Sequence, residues 1–225
     1  MRPPKSVRGL EELGRVRLSR SFFMRDFLWS ETAAVHGLPN VPDDPEAAIA
    51  AGRSLCEALL EPLEATFGRI AVRSAYRSAA LNAFGNAKGY NFGSNAFNQG
   101  RHIWGTRDAR GARGATACIV VPWFLPQYER TADWRPLAWW VHDHLPYSEM
   151  TFFPKLAAFN LTWSEVPKRR IDSHAPPRGL LTKPGMAGHE GDHSAHYAGF
   201  PAMVRPEDGL GNQDQAPRIR SDGAP

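Results

Sequence analysis

The stretch from Asp44 to Gly68 constrains this chain more than any other. Asp44 offers a side-chain acceptor to the first free backbone N–H groups of a helix, and Pro45 suits the first helical position, where no N–H is needed. Ile49, Leu55, Cys56, Leu59, Leu60, Leu63 and Phe67 recur at helical spacing, and Gly68 suits the stop. The pattern predicts a helix over residues 45–67, kinked where Pro62 interrupts the hydrogen-bond ladder. Its apolar stripe needs a second layer to cover it. Cys56, on that stripe, reads as a core residue.

Weaker signals flank this rod. Residues 1–20 read as an arm or short helix, and an ordered element begins near Ser21 with Phe22, Phe23, Phe27 and Leu28. Ser30 to Gly37 reads as a short helix closed by its glycine, and Asn40-Val41-Pro42 as a turn. Ile70–Arg73 predicts a strand. Residues 83–116, rich in Gly, Asn and Arg, read as a long loop containing a short helix after Ser78. Ala117–Val121 is a buried-strand pattern ended by Pro122, and Trp134–Leu145 an amphipathic helix on Leu137, Trp140 and Val141. Two further strands are expected at Met150–Phe153 and Phe159–Trp163. Apolar residues thin out beyond Met186. The expected architecture is α+β, with N-terminal helices packed on a small, mainly antiparallel sheet. It divides into an arm (1–20), one domain (21–175) and an irregular, poorly ordered tail (176–225).

A 225-residue chain with 42% hydrophobic residues, 7 Trp and 12 Phe can build one substantial core. Its charge is uneven: residues 186–225 carry a net −3, so the first 185 carry +7. That excess suits an anionic partner such as a cell-wall polymer, but the basic residues form no Lys/Arg blocks and read first as a solvated surface. Nucleic acid ranks last among the candidates, because the basic residues are scattered and no recognition motif accompanies them. Cys56 and Cys118 form no C-x-x-C pair and are too few for a disulfide framework. No apolar run approaches a membrane span, and Met1-Arg2-Pro3-Pro4-Lys5 lacks a secretory h-region, so a cytoplasmic protein is the default expectation.

Arg73-Ser74-Ala75-Tyr76-Arg77-Ser78 sits at the end of the predicted Ile70–Arg73 strand. A guanidinium in that place is a rigid bidentate fork for a carboxylate. Together with Leu81-Asn82, the segment resembles the S-G-Y-R-S…L-N signature of the zinc D-Ala-D-Ala carboxypeptidases, with their DD-peptidase/Hedgehog-type fold. The resemblance covers roughly residues 21–165. It takes in Phe22…Phe27…Ser30, Gly37-Leu38-Pro39-Asn40-Val41-Pro42 and Leu60-Glu61-Pro62-Leu63…Phe67-Gly68 in order and spacing. Ala75 replaces the usual glycine, which matters only if that position needs positive φ. The resemblance implies that Arg77, with Tyr76 beside it, binds the terminal carboxylate of a peptidoglycan peptide; the residues alone make Tyr76 and Asn82 structural.

The implied zinc chemistry departs from the family's pattern. That family holds its metal with a His and an Asp in S-x-H-x-x-G-x-A-x-D and with a second His in W-x-H, and a Glu serves as general base. Three protein ligands leave a position for water, whose proton the Glu takes. Here Gly114-Ala115-Thr116-Ala117-Cys118-Ile119 puts Cys118 at the Asp position, and His102 supplies the first His across a longer spacing. Trp163-Ser164-Glu165 puts Glu165 at the second His, and Phe153 occupies the base position. His102, Cys118 and Glu165 can each bind zinc and form a chemically possible trio, and Glu149, on the same strand face as Phe153, substitutes as base only if the strand shifts by more than a turn. His174 replaces the second ligand if its loop folds back. Taken separately, Cys118 and Phe153 read as core residues. The expected function is a peptidoglycan carboxypeptidase or endopeptidase relative with altered or impaired catalysis. The alternative is a non-catalytic cell-wall-peptide-binding or phage-associated structural protein on the same fold.

Three other signals are weaker. His189-Glu190-Gly191-Asp192-His193 matches H-E-x-x-H, a zinc pattern that works only on a helix, and its glycines oppose one. His142-Asp143-His144 closes the Trp134–Leu145 helix, where histidine complements the dipole. Trp134, Trp139, Trp140, Tyr128 and Tyr147 read as packing of helix on sheet. No P-loop, dinucleotide glycine pattern or G-x-S-x-G elbow is present.

Overall fold

The computed structural model describes residues 2–204. The predicted rod forms as α4 (Pro45–Leu55), a π-helical turn (Cys56–Leu60) and α5 (Glu61–Phe67). Asp44 caps it by accepting a bond from the Ala47 N–H at 3.0 Å, and Gly68 ends it at φ 76°. The kink expected at Pro62 takes the form of the π turn. Proline has no N–H and its ring crowds the carbonyl four residues back. Widening the turn, with the Glu61 N–H reaching Cys56 O, absorbs the misfit without ending the rod. Leu55, Cys56, Leu59, Leu60 and Leu63 are completely buried. Each leucine contributes about 1.5–3 kcal/mol of burial.

Three helices precede the rod: α1 (Val7–Gly14), α2 (Arg25–Leu28) and α3 (Glu31–His36). Ser30 caps α3, and Gly37 closes it at φ 63°. After it come β1 (Ala71–Ser74), α6 (Ala79–Ala87) and α7 (Asn95–Asn98), then β2 (Gly114–Val120), α8 (Leu125–Thr131) and α9 (Arg135–His144). The chain then adds β3 (Glu149–Phe152), β4 (Phe159–Ser164), β5 (Arg170–Ser173) and β6 (Gly179–Thr182). The six strands form one sheet in the order β1-β2-β4-β3-β5-β6, antiparallel except for the β3–β5 pair. The fold is thus mixed α and β with a mostly antiparallel sheet, as the sequence pattern predicts. Among the described residues no helix is long and apolar enough to cross a membrane.

Alternation divides the sheet into two faces. Ala115, Ala117, Ile119, Met150, Phe152, Phe159, Leu161 and Ile171 are buried in the hydrophobic core together with the rod and α9. The residues between them, including Thr116, Cys118, Glu149, Thr151, Asn160 and Thr162, line a cavity on the other face. β1 carries a bulge. Val72 pairs with Ile119 and Ser74 with Cys118, so Arg73 is the extra residue, and both Arg73 and Ser74 line the cavity. Gly114 admits the loop that covers the sheet's edge, since a Cβ there would lie 2.2 Å from Gly100 O.

The expected irregular tail is corrected in part. β6 extends the sheet beyond residue 175, and the chain then runs as a strap across α9. The strap folds because buried side chains hold it: Thr182 Oγ1 meets His189 Nδ1 at 2.8 Å and Trp140 Nε1–H donates to Pro201 O. Phe200 and Met203 pack on the core, so few apolar residues sufficed. The remainder of the expected tail, 205–225, lies outside the described residues.

Candidate functional site

The cavity has a volume of about 930 Å³. Its floor crosses five neighbouring strands, from Ser74 on β1 through Cys118, Asn160 and Thr151 to Asp172 on β5, which register in one row. Four strand spacings make that row about 19 Å long. Aromatic side chains stand at its margin, with Trp29 and Phe97 more than half exposed.

The Ala75–Ser78 segment leaves the sheet under tight constraint. The Tyr76 N–H donates to Phe27 O, and the Arg77 N–H to His102 O at 2.8 Å. His102 Nδ1–H donates back to Ala75 O at 2.7 Å. Asn40 accepts from the Ser78 N–H at 2.8 Å and donates to Tyr76 O. Ser78 then caps α6. Ala75 is not among the residues at positive φ, so replacing the usual glycine carries no backbone strain. Asn82 is fully buried, donating to Gly93 O and Asn95 Oδ1 and accepting from Asn98, as its structural reading predicts.

These constraints aim Arg77 into the cavity. Its guanidinium carbon lies 3.9 Å from the centroid of the Phe92 ring. Among the described residues, the Arg77 and Arg73 side chains have no ion pair and no side-chain hydrogen bond. The other cavity cations are paired. Arg101 and Lys168 sit 2.7 and 3.6 Å from Glu149, and Arg170 makes a two-pronged contact with Asp172. Burial lowers the Arg77 pKa to about 10, partly offset by Cys118 and Glu31. The site therefore holds a partly desolvated cation that, among the described residues, has no ion pair.

Four sequence-based expectations need correction. His102 and Cys118 both line the cavity, but Glu165 does not. Cys118 pairs with Asn160, so Glu165 lies five residues further along, about 16 Å away at strand spacing. There its carboxylate accepts from the Arg113 N–H and lies 3.6 Å from Arg107. The residues present thus do not fit the zinc set: two ligands remain and the third faces elsewhere. Glu149, the substitute base, is held by Arg101 and Lys168. Phe153 lies at the cavity wall stacked on His174, 5.6 Å between centroids, at the β5 end. His174 therefore sits well away from Cys118 and does not complete the set.

The electrostatics agree. Burial, with the Arg77 charge beside it, lowers the His102 pKa to about 3, so the ring is neutral. Burial raises the Cys118 thiol to about 11, against the pull of Arg73 and Arg77, so it stays protonated near neutrality.

The H-E-x-x-H segment forms no helix. It lies in the strap before a 3₁₀ turn (Ser194–Tyr197). Even so, one candidate metal-binding triad exists among the described residues: ligand atoms of His142, Asp143 and His193 lie within 4.8 Å of one another. All are already hydrogen-bonded. His142 Nε2–H donates to His189 O and its Nδ1 accepts from Tyr147 Oη. Asp143 accepts from His193 Nδ1 at 2.6 Å, from the His193 N–H and from Tyr197 Oη. The cluster binds strap to helix with its donors and acceptors matched. His144 instead stacks on Trp140.

Sequence reasoning missed Phe92, Arg73 and Asn160. The alternation Phe159-Asn160-Leu161-Thr162 could have flagged Asn160 as facing a polar space. Nothing local marks Phe92 as an arginine partner, because that contact depends on how the loop folds. No family model, no curated protein and no solved structure matches this chain.

Proposed function

We propose that this protein binds the C-terminal carboxylate of a short peptide of the cell-wall D-Ala-D-Ala kind, on a DD-peptidase/Hedgehog-like scaffold, without zinc-dependent hydrolysis. The observation that carries this reading is the Arg77 guanidinium, which lines a large cavity and, among the described residues, has no ion pair; Glu31 lines the same cavity and favours the charge without pairing with it. The sequence resemblance assigns that arginine to the same role. A 19 Å floor accommodates about five or six extended residues at roughly 3.3 Å each, lying across the hydroxyls and amides of the sheet. Hydrolysis is set aside because Phe153 occupies the base position, Glu149 is paired with two cations, and Glu165 faces away.

Calorimetric titration of acetyl-D-Ala-D-Ala, as free acid and as C-terminal amide, tests this. The acid is expected to bind at least tenfold more tightly, and Arg77→Gln to remove that preference, since a charge-assisted bond contributes about 1.5–3 kcal/mol. No D-alanine should be released. Equal binding of acid and amide would sink the reading, and D-alanine release lost in Arg77→Gln would replace the binder with an enzyme.

A further inference from the structure

The segment between α6 and α7 is shaped around a single ring. Phe92 rests on α6 at Gly85, where a Cβ would lie 2.2 Å from Phe92 Cδ2. Only the absent side chain lets the ring settle there. Three asparagines hold the backbone at Phe92 and the residue after it. Asn86 donates to Phe92 O at 2.7 Å, while Asn82 and Asn98 donate to Gly93 O at 2.9 and 3.1 Å. The Tyr90 N–H closes back on Gly85 O. The same ring carries the Arg77 guanidinium, 3.9 Å from its centroid.

We propose that Phe92 is a positioning residue for Arg77, fixing the plane of its guanidinium so that the N–H edge faces the cavity as a ready bidentate fork. The inference rests on the carboxylate-binding reading of the same site. A guanidinium on a long side chain, with no ion pair, would otherwise sample many rotamers, and binding would have to order it. Stacking on an aromatic face leaves all in-plane donors free while removing that disorder. Arg101 has a similar aromatic support, 4.0 Å from the Phe97 centroid, but its charge is already used by Glu149. Among the described residues, Arg77 alone combines a supporting ring with a guanidinium that has no ion pair or side-chain hydrogen bond.

The test uses the full chain and two readouts. In the ligand-free protein, side-chain NMR should show a resolved, slowly rotating Arg77 guanidinium shifted by the ring current. Phe92→Leu, which keeps apolar bulk without a π face, should collapse that signal, and Phe92→Tyr should keep it. Gly85→Ala should act like Phe92→Leu by pushing the ring away, and an unchanged melting temperature separates that displacement from a fold weakened by overpacking. With acetyl-D-Ala-D-Ala as probe, Phe92→Leu and Gly85→Ala should bind the acid roughly three- to thirtyfold more weakly, the range set by cation–π strengths, and Phe92→Tyr nearly as wild type. An unchanged Arg77 signal and unchanged affinity in Phe92→Leu would overturn the positioning role. Equal or absent binding of acid and amide by the wild type would instead overturn the carboxylate reading, and the functional half of this proposal with it.

Discussion

His102 shows how one residue can be legible in identity and not in role. The sequence marks it as a metal-ligand candidate; its surroundings make it a brace. Its Nδ1–H is spent on Ala75 O, its own carbonyl holds the Arg77 N–H, and its ring is enclosed beside a cation. The folded pKa of about 3 lies well below the value near 6.5 of an unfolded chain. The folded state therefore takes up this proton less readily than the unfolded one. The stability involved is complete above about pH 6.5 and declines as pH falls toward 3. NMR of the folded protein should show no His102 titration between pH 5 and 8, and His102→Gln should flatten the acid side of the stability curve. A His102 inflection near pH 6.5 would contradict this. Glu165 fails differently, since motif alignment assigned it by spacing while strand register sent it elsewhere.

Elements with strong local signals formed close to their expected bounds. The rod kept its cap, its stripe and its stop, because each depends on neighbours within a few residues. The strap did not announce itself, because its stability comes from contacts with α9 rather than from its own periodicity. His193 is its latch. Nδ1 faces the Asp143 carboxylate and Nε2 faces Gly188 O, both acceptors, so both ring nitrogens carry protons in this geometry. Burial opposes that charge, while Asp143, Gly188 O and Asp192 favour it, and the pKa is raised on balance; neutral His142 packs against the same ring, and Trp139 stacks on it at 4.2 Å. A raised folded pKa means that the latch's contribution is full below about pH 6.5 and is lost as pH rises through the folded value. Amide exchange across residues 189–200, corrected for intrinsic rate, should quicken at alkaline pH, and His193→Gln should remove that dependence. Protection that stays constant from pH 6 to 9 would refute the latch.

At the scale of the whole molecule, the sheet keeps one face for the core and gives the other to a cavity. The two share strands, so Cys118 can change without unpacking the core. The purified 225-residue chain is expected to hold clearly less than one zinc per chain, and Cys118→Ala to shift stability by less than about 1.5 kcal/mol. One zinc per chain by elemental analysis, lost in that variant, would restore the metal site. The amino-acid sequence by itself determined the rod, the strand alternation and an arginine at a strand end, because periodicity, caps and turn residues act over short separations. Only the tertiary structure decided which polar side chains share the cavity, that Glu165 faces away, and that Arg77 lies on Phe92 without an ion pair among the described residues. Those outcomes depend on register and loop closure between residues far apart in the chain, where no local pattern reaches.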